Sequence, residues 1–286
     1  MPELPEVETV ANDLQRELKA AVISDIELVG KHSLVKNPWP AFKKLLVGKS
    51  VRKIYRRAKM VVIDLGEEFL LIHLKMTGQL IYVFKKHIVA GGHPIRSTGV
   101  SVPNQFTRLI FYFKNGSVLY FNDLRKFGWI KVVNRKDFEA LDRSSGIEPL
   151  SKEFTFEFFT QMLGRRKKTT IKAALLDQKH LVGLGNIYVD EVLFRSGVRP
   201  GRRVNSLNKF EAKKIFQSIP LILRKSIAQR GTTFSSYLDA SGLRGNFMPF
   251  LKVYGRGGKA CPRCGELIQK TRVAGRGSHW CKNCQK

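Results

Sequence analysis

The first 260 residues contain no cysteine, and all four cysteines fall in the last 26. That distribution speaks against a disulfide framework spread over the fold. Acid is scarce as well: 23 Asp and Glu stand against 51 Lys and Arg, a formal charge of +28. Solvated surfaces carry mixed charge, not an excess of one sign on this scale. Such self-repulsion is tolerable where a polyanion neutralises it, and nucleic acid is the commonest polyanion partner. Long hydrophobic runs are missing too. Phe69–Leu74 and Ile219–Leu223 fall far short of the roughly 18–20 apolar residues that span a bilayer, so no membrane association is expected. The opening MPELPEVE is not the basic-then-apolar order of a secretory signal, and the expectation is a soluble, intracellular protein. What the chain does have is length and apolar content. At 286 residues and 43% hydrophobic, it can bury the core of two ordinary domains or one large one, which argues against wholesale disorder.

Val7, Val10, Leu14 and Leu18 recur at helical spacing, and Pro5 suits a first helical turn, so a helix opens the chain. From about Val51 to Val133 the reading turns to strands: Met60–Leu65, Phe69–Leu74, Leu80–Phe84, then a hairpin of RLIFYF and VLYF around Lys114–Ser117, where Asn-Gly supplies positive φ. The polar stretch 87–105, with its glycines and proline, reads as a loop interrupting that sheet. Residues 135–150 read as a charged linker. Helical patterns follow at Phe154–Leu163, Thr170–Gln178, Ile187–Ser196 and Ser206–Arg230, the last kinked at Pro220. The expected class is α+β. A β-sandwich-like domain with an opening helix (1–134) and the linker (135–150) precede a helical domain (151–245) and a terminal hairpin (246–286).

Cys261-Pro-Arg-Cys264 and Cys281-Lys-Asn-Cys284 are separated by 16 residues. Two CxxC turns at this distance suit one tetrahedral zinc, and four thiolates leave no open position for a catalytic water, so the zinc is structural. From Lys252 to Lys286 there are nine Lys or Arg and one acid, Glu266; the metal holds a basic ribbon that a DNA groove or backbone can receive. His279, two residues before Cys281, reads as a packing or backbone-bonding histidine rather than a further ligand.

The opening Met1-Pro2-Glu3-Leu4-Pro5-Glu6 admits two readings. Acids in a first turn complement the helix dipole, and proline is welcome there. Removal of the initiator methionine, however, would expose a secondary amine. A free α-amino group titrates near 7.7–8.0 against roughly 10.4 for lysine, so it can attack a sugar carbon near neutral pH, with Glu3 and Glu6 as neighbouring proton carriers.

MPELPEVETV, RRAK at Arg56–Lys59, HLKMTG at His73–Gly78, DLRKFG at Asp123–Gly128, LLDQKHLVGLGNIYVDE at Leu175–Glu191 and the terminal cysteine ribbon occur in one order. Together they resemble the formamidopyrimidine-DNA glycosylase family across essentially the whole chain. The resemblance implies a base-excision enzyme acting on duplex DNA with oxidised purines or abasic sites, and a helix–two-turn–helix fold in the helical half. It further implies a monomer with one structural zinc in a bacterial cytoplasm, associated with the nucleoid. By matching position, Pro2 is the Schiff-base nucleophile, Glu3 the general acid, Lys59 a phosphate-contacting lysine that supports β-elimination, and Arg276 the ribbon arginine that grips phosphate and serves δ-elimination. Glu6 matches a carboxylate close to the nucleophile. Met76, Arg125 and Phe127 match the side chains that fill the hole left by the extruded base; otherwise Met76 and Phe127 read as core and Arg125 as a surface charge. His73, Lys168 and Asn186 match DNA contacts, Asn186 reading equally as a helix N-cap. The stretch Gly231–Gly245 resembles the loop that closes over an oxidised purine.

Two departures stand out. The family carries a DNA-contacting histidine ahead of the strand at Arg108–Phe113; here the segment is Asn104-Gln-Phe-Thr-Arg108, leaving Arg108 or Gln105 for that contact. The preceding loop is also long. The competing readings are an endonuclease VIII-like glycosylase for oxidised pyrimidines, a non-catalytic zinc-ribbon DNA-binding protein, and an RNA binder, the last lacking the aromatic-rich motifs of RNA modules.

Overall fold

The computed structural model describes residues 1–30, 33–92, 101–232 and 247–286. The chain divides into two compact units, the first formed by 1–143 with 229–246, the second by 144–228 with 247–286.

In the first unit, helix α1 (Leu4–Leu18) and strands β1 (Ile23–Leu28) to β9 (Trp129–Asn134) build two antiparallel sheets. Strand β7 (Thr107–Phe113) pairs β1 and β8 (Val118–Asp123); β8 pairs β5 (Gly78–Phe84), and β5 pairs β6 (His87–Gly92). The second sheet runs β2 (Lys53–Arg57), β3 (Met60–Asp64), β4 (Glu68–His73), β9. Alternation along the strands sorts the residues. Val61 and Ile63 of β3 face a shared core with Leu80, Phe111 and Phe121 of the first sheet and with Val7, Val10 and Leu14 of α1. Val62, between them, faces the opposite way, against Phe69, Leu71 and Phe138. The short α2 (Trp39–Leu46) seals one edge through Phe42 and Leu46.

Two expectations are corrected. Segment 87–105 is not all loop: His87–Gly92 is strand β6, paired over its length with β5. Its Gly91 is needed because a Cβ there would lie 2.4 Å from Val10 Cγ2 on α1; the glycines that read as a loop signal mark a close approach instead. The charged stretch after Asn134 is likewise not bare linker. Arg135–Ser144 forms α3, whose Phe138 ring stacks on Phe69 at 4.3 Å and covers the outer face of the second sheet. The hairpin turn at 114–117 takes its positive φ from Gly116 alone, while Asn115 Oδ1 accepts the Ser117 N–H.

The second unit holds α4 (Phe156–Gly164), α5 (Ile171–Leu176), α6 (Asn186–Ser196) and α7 (Lys209–Ala228), with Pro220 inside α7, and a hairpin of β10 (Ile268–Val273) and β11 (Arg276–Cys281). Tyr188 of α6 is fully buried and its hydroxyl meets Ser226 Oγ of α7 at 2.7 Å. None of the described helices is long and apolar enough to cross a membrane.

Candidate active site and nucleic-acid interface

Helix α1 starts where it does because Glu3 and Glu6 close a capping box, the Glu6 carboxylate accepting the Glu3 N–H at 2.9 Å. Acids placed only to complement a dipole stay exposed; Glu3 and Glu6 are each 4% exposed, and Pro2 is buried beside them. The chain's amine, carried by Met1, is pushed below its ordinary 8.0, chiefly by burial, with Glu3 and Glu6 opposing and Lys59 reinforcing. Lys59 comes from the two-residue turn that joins β2 to β3, is itself buried, and follows Ala58 in the left-handed region (φ 53°). A buried amine with a lowered pKa holds more of its nucleophilic free base at neutral pH, and two carboxyls sit beside it to move protons.

Glu6 also reaches forward along the chain. Its Oε1 accepts the Thr232 N–H at 2.7 Å and the Thr232 hydroxyl at 2.9 Å. Gly231 has φ +80° and packs so closely that a Cβ would meet Glu6 Oε1 at 2.8 Å. Glu6 thus anchors the start of the stretch expected to cap the lesion; residues 233–245 of that stretch lie outside the described residues.

The sheets place Met76, Arg125 and Phe127 together. Pairing of His73 with Trp129 and of Gly78 with Asp123 sets the turns at 74–77 and 124–128 side by side, each crossing from one sheet to the other. Met76 is 41% and Phe127 52% exposed, so neither is a core residue. The Arg125 guanidinium lies 4.6 Å from the Phe127 ring centroid. Lys75 (φ 50°) precedes Met76 and Lys126 (φ 57°) precedes Phe127, repeating the pattern of Ala58 and Lys59: a strained residue stands before each of the three. Sequence reasoning missed the side chain that ties these turns. Asp123, 1% exposed, takes the Thr77 hydroxyl and the Arg125 N–H on Oδ1 and the Gly128 N–H on Oδ2 at 2.7 Å. Its letters in DLRKFG carried no sign that it faces inward.

His73 is held neutral. Burial first, then Lys75 and Lys59, lowers it to about 3. Its Nδ1 accepts the Lys75 N–H at 3.0 Å, so the proton resides on Nε2, a donor. Arg108 is mostly buried and serves backbone: Nε donates to the Asp123 carbonyl at 3.1 Å and Nη1 to those of Gln105 and Thr107. Only Nη2 is left over among the described contacts.

In the second unit the N-cap of α6 is Gly185, not Asn186. Asn186 is the first helical residue; its Nδ2 donates to the Gly277 carbonyl at 2.9 Å, and its Oδ1 has no partner among the described residues. The same carbonyl accepts Lys172 Nζ at 3.2 Å. Lys172 is fully buried and pairs Asp190 Oδ1 at 2.6 Å, while Asp190 Oδ2 accepts the His279 N–H at 2.8 Å. A buried ion pair between α5 and α6 thereby grips β11 on both sides of Ser278 and fixes the Gly277–Ser278 peptide, one residue beyond Arg276. Sequence reasoning named neither Lys172 nor Asp190; the signal was two acids, Asp190 and Glu191, inside an otherwise apolar helix. Arg276 opens β11 with its side chain exposed, and Lys168 is exposed in the turn before α5.

The four cysteine Sγ atoms lie within 4.8 Å of one another, with Cys261–Cys284 at 3.9 Å and Cys264–Cys281 at 3.5 Å. A tetrahedron with Zn–S of about 2.3 Å has S···S edges of about 3.8 Å, so the cluster fits zinc. His279 is not a ligand: its ring meets Tyr254 edge-on at 5.2 Å and its Nδ1 lies 3.4 Å from Asp190 Oδ2. Stripping the metal with a chelator, or Cys264→Ser, is expected to abolish DNA binding while the N-terminal β structure stays folded. Metal analysis, duplex affinity and circular dichroism check this, and active protein without zinc would refute it.

Three family models match in order: the formamidopyrimidine-DNA glycosylase N-terminal domain over residues 1–130, its H2TH domain over 145–237, and the zinc finger found in FPG and IleRS over 258–286. The arrangement is that of a zinc-finger, helix–two-turn–helix protein with an N-terminal β domain. The chain belongs to the formamidopyrimidine-DNA glycosylase family. It is 40% identical to the formamidopyrimidine-DNA glycosylase of Pelotomaculum thermopropionicum, with all of this chain and 99% of the relative aligned. It is also 40% identical to that of Herpetosiphon aurantiacus over the full length of both. Among solved structures, it is similar to the Lactococcus lactis enzyme in complex with DNA containing N7-benzyl-Fapy-dG, at 33% identity and a TM-score of 0.86 with both chains covered completely. The same enzyme with abasic-site DNA matches at a TM-score of 0.85 and 33% identity, with 99% of each chain covered.

Proposed function

We propose that this chain is a bifunctional DNA glycosylase and AP lyase that excises oxidised purines, 8-oxoguanine and formamidopyrimidines, from duplex DNA and then cuts the strand by β,δ-elimination. The buried cluster of the N-terminal amine, Glu3, Glu6 and Lys59 carries this reading. With Met1 removed, the Pro2 nitrogen attacks the sugar C1′ and the bond from C1′ to the base breaks. Glu3 protonates the ring oxygen as the C1′–O4′ bond opens, leaving a cationic iminium. That electron sink acidifies the C2′ proton; its removal expels the 3′ phosphate, and loss of the C4′ proton then expels the 5′ phosphate. Lys59 and Arg276 hold the phosphates that leave, and water returns the amine. The work divides between a catalytic β domain (1–134), a phosphate-gripping helical domain (151–245) and the zinc hairpin (246–286), in a monomer of the bacterial cytoplasm.

Excision needs the base out of the stack. Met76, Arg125 and Phe127 stand exposed on two turns locked by Asp123, as wedges need to be. Met76→Ala and Phe127→Ala are expected to slow excision from duplex at least about tenfold, the equivalent of about 1.4 kcal/mol of the few kcal/mol that unstacking costs, and far less from a target already unstacked. Rate comparison on paired and bubble substrates checks this; equal losses on both would return the residues to a structural role. His73, Lys168, Asn186, Arg276 and the remaining Nη2 of Arg108 supply phosphate contacts, so affinity should fall steeply with salt, by a log–log slope of about −0.9 per phosphate neutralised. Arg276→Ala should flatten that slope by about one such unit, whereas Asn186→Ala, which removes no charge, should weaken binding at an unchanged slope; parental affinity in either variant would remove that residue from the interface. The experiment that tests the function itself is a lesion panel with borohydride. A covalent adduct with 8-oxoguanine duplex in preference to thymine glycol supports the reading; no adduct with any lesion ends it.

A further inference from the structure

Two cavities near the C-terminal end of α6 join into one groove that the proposed reaction does not use. One, of about 380 Å3, and another, of about 550 Å3, share Arg195, Leu221 and Arg263. The floor is apolar: Phe194 and Phe247 are nearly sealed, and Leu221 lies 43% exposed on α7. The rim is basic. Lys225 sits 4.8 Å from the Phe250 ring centroid, Arg263 sits 4.4 Å from that of Phe194, and Lys252 and Lys214 stand at the two ends. Glu191 is the one acid lining the groove, and it is 2% exposed with its carboxylate accepting the N–H groups of Lys252, Val253 and Tyr254 at 2.9–3.0 Å. Among the described residues none of the five rim cations forms an ion pair. A solvated charged face mixes signs; this rim is cationic throughout and surrounds an exposed leucine.

The geometry points to a docking site for a short acidic peptide, carried by a partner protein, whose anchor is one large apolar side chain. Complementarity of charge selects an anionic ligand. The stripe Lys214, Leu221, Lys225 runs along one face of α7 for eleven residues, about 16 Å at 1.5 Å per residue, the length of about five extended residues at roughly 3.3 Å each. The apolar floor receives the anchor between the two cation-capped rings, and the rim pairs with carboxylates on either side, an arrangement in which an aromatic or aliphatic anchor carries most of the binding. A single nucleic-acid strand fits less well. Bases bind by stacking on open aromatic faces, and here the faces of Phe194 and Phe250 are already covered by Arg263 and Lys225. The groove also lies at the far end of α6 from Asn186, nine residues or about 14 Å along the axis from the helix end assigned to phosphate.

The test uses the full-length, zinc-loaded protein and a fluorescein-labelled peptide of sequence Asp-Leu-Asp-Asp-Phe, read by anisotropy. Binding is expected, and it should weaken at least about tenfold when serine replaces the aspartates, when alanine replaces the phenylalanine, or in the variants Leu221→Asp and Lys225→Glu. Both substituted side chains are exposed, so zinc content and affinity for an abasic-analogue duplex should remain those of the parent. A saturating amount of that duplex should leave the peptide bound. Displacement of the peptide by the duplex or by oligothymidine would overturn the proposal in favour of a nucleic-acid track. Equal affinity for the serine peptide, or for the two variants, would overturn it outright.

Discussion

A protein that keeps Met1, or carries any residue ahead of Pro2, is expected to bind lesion duplex with parental affinity and to leave it uncut. Pro2 is buried beside Glu3 and Glu6, and an added residue turns its nitrogen into an amide that cannot attack and shifts the free amine one residue along the chain. Loss of covalent catalysis at this step should cost excision and strand cleavage together, by at least about a thousandfold, because the Met1 amine, although buried with a lowered pKa, is primary and stands one residue away from the position of the proline nitrogen. Glu3→Gln separates the two halves of the mechanism. The glutamine keeps a side-chain oxygen for the capping box, so α1 persists, but it cannot donate the proton that opens the sugar ring. It should bind damaged DNA and fail to release the base. Mass spectrometry of the borohydride adduct should place it on a chain that begins at Pro2. A blocked terminus that still excised the base and cut the strand would move the nucleophile elsewhere, and Lys59, inside the same electrostatic neighbourhood, would be the next residue to test.

The burial pattern explains which parts of this arrangement could be read from letters. The zinc hairpin was legible because metal ligation fixes spacing, and the CxxC pairs came out with all four sulfurs in one cluster. Helix α1 and most of the strands were legible because one-sided or two-sided burial imposes a period. Strand β6 was not, since Gly91 is glycine for its close approach to Val10 and Gly92 for a positive φ against the Gly78 carbonyl, and neither marks a loop. Helix α3 was hidden by its charge: one residue, Phe138, anchors it. Asp123, Lys172 and Asp190 were invisible for a deeper reason. A buried polar residue is recognised by its partners, and those lie 46 residues away for Thr77 and Asp123, 18 for Lys172 and Asp190, and 89 for Asp190 and His279. No local pattern carries such information.

That pair sets the second large effect. Lys172 and Asp190 are both inaccessible to solvent, and a buried pair contributes little against an apolar replacement while costing about 3–5 kcal/mol when one charge is left alone. Lys172→Met is therefore expected to lower the melting temperature of the second unit by roughly 10–20 °C, taking about 2–4 °C or somewhat more per kcal/mol for a domain of this size. Lys172→Met combined with Asp190→Asn should recover about half of the loss, because no bare charge remains and the asparagine oxygen can still accept the His279 N–H. Binding to an abasic-analogue duplex should not recover with it. Both variants lack the ammonium that shares the Gly277 carbonyl with Asn186, and it is this shared carbonyl that aligns Asn186 on α6 with the residue following Arg276. Stability and affinity thus part company only if the lysine positions the phosphate-binding residues. A double variant that regained both would reduce the pair to a packing element of the hairpin, and one that regained neither would show that the stability of this unit does not depend on balancing the two charges.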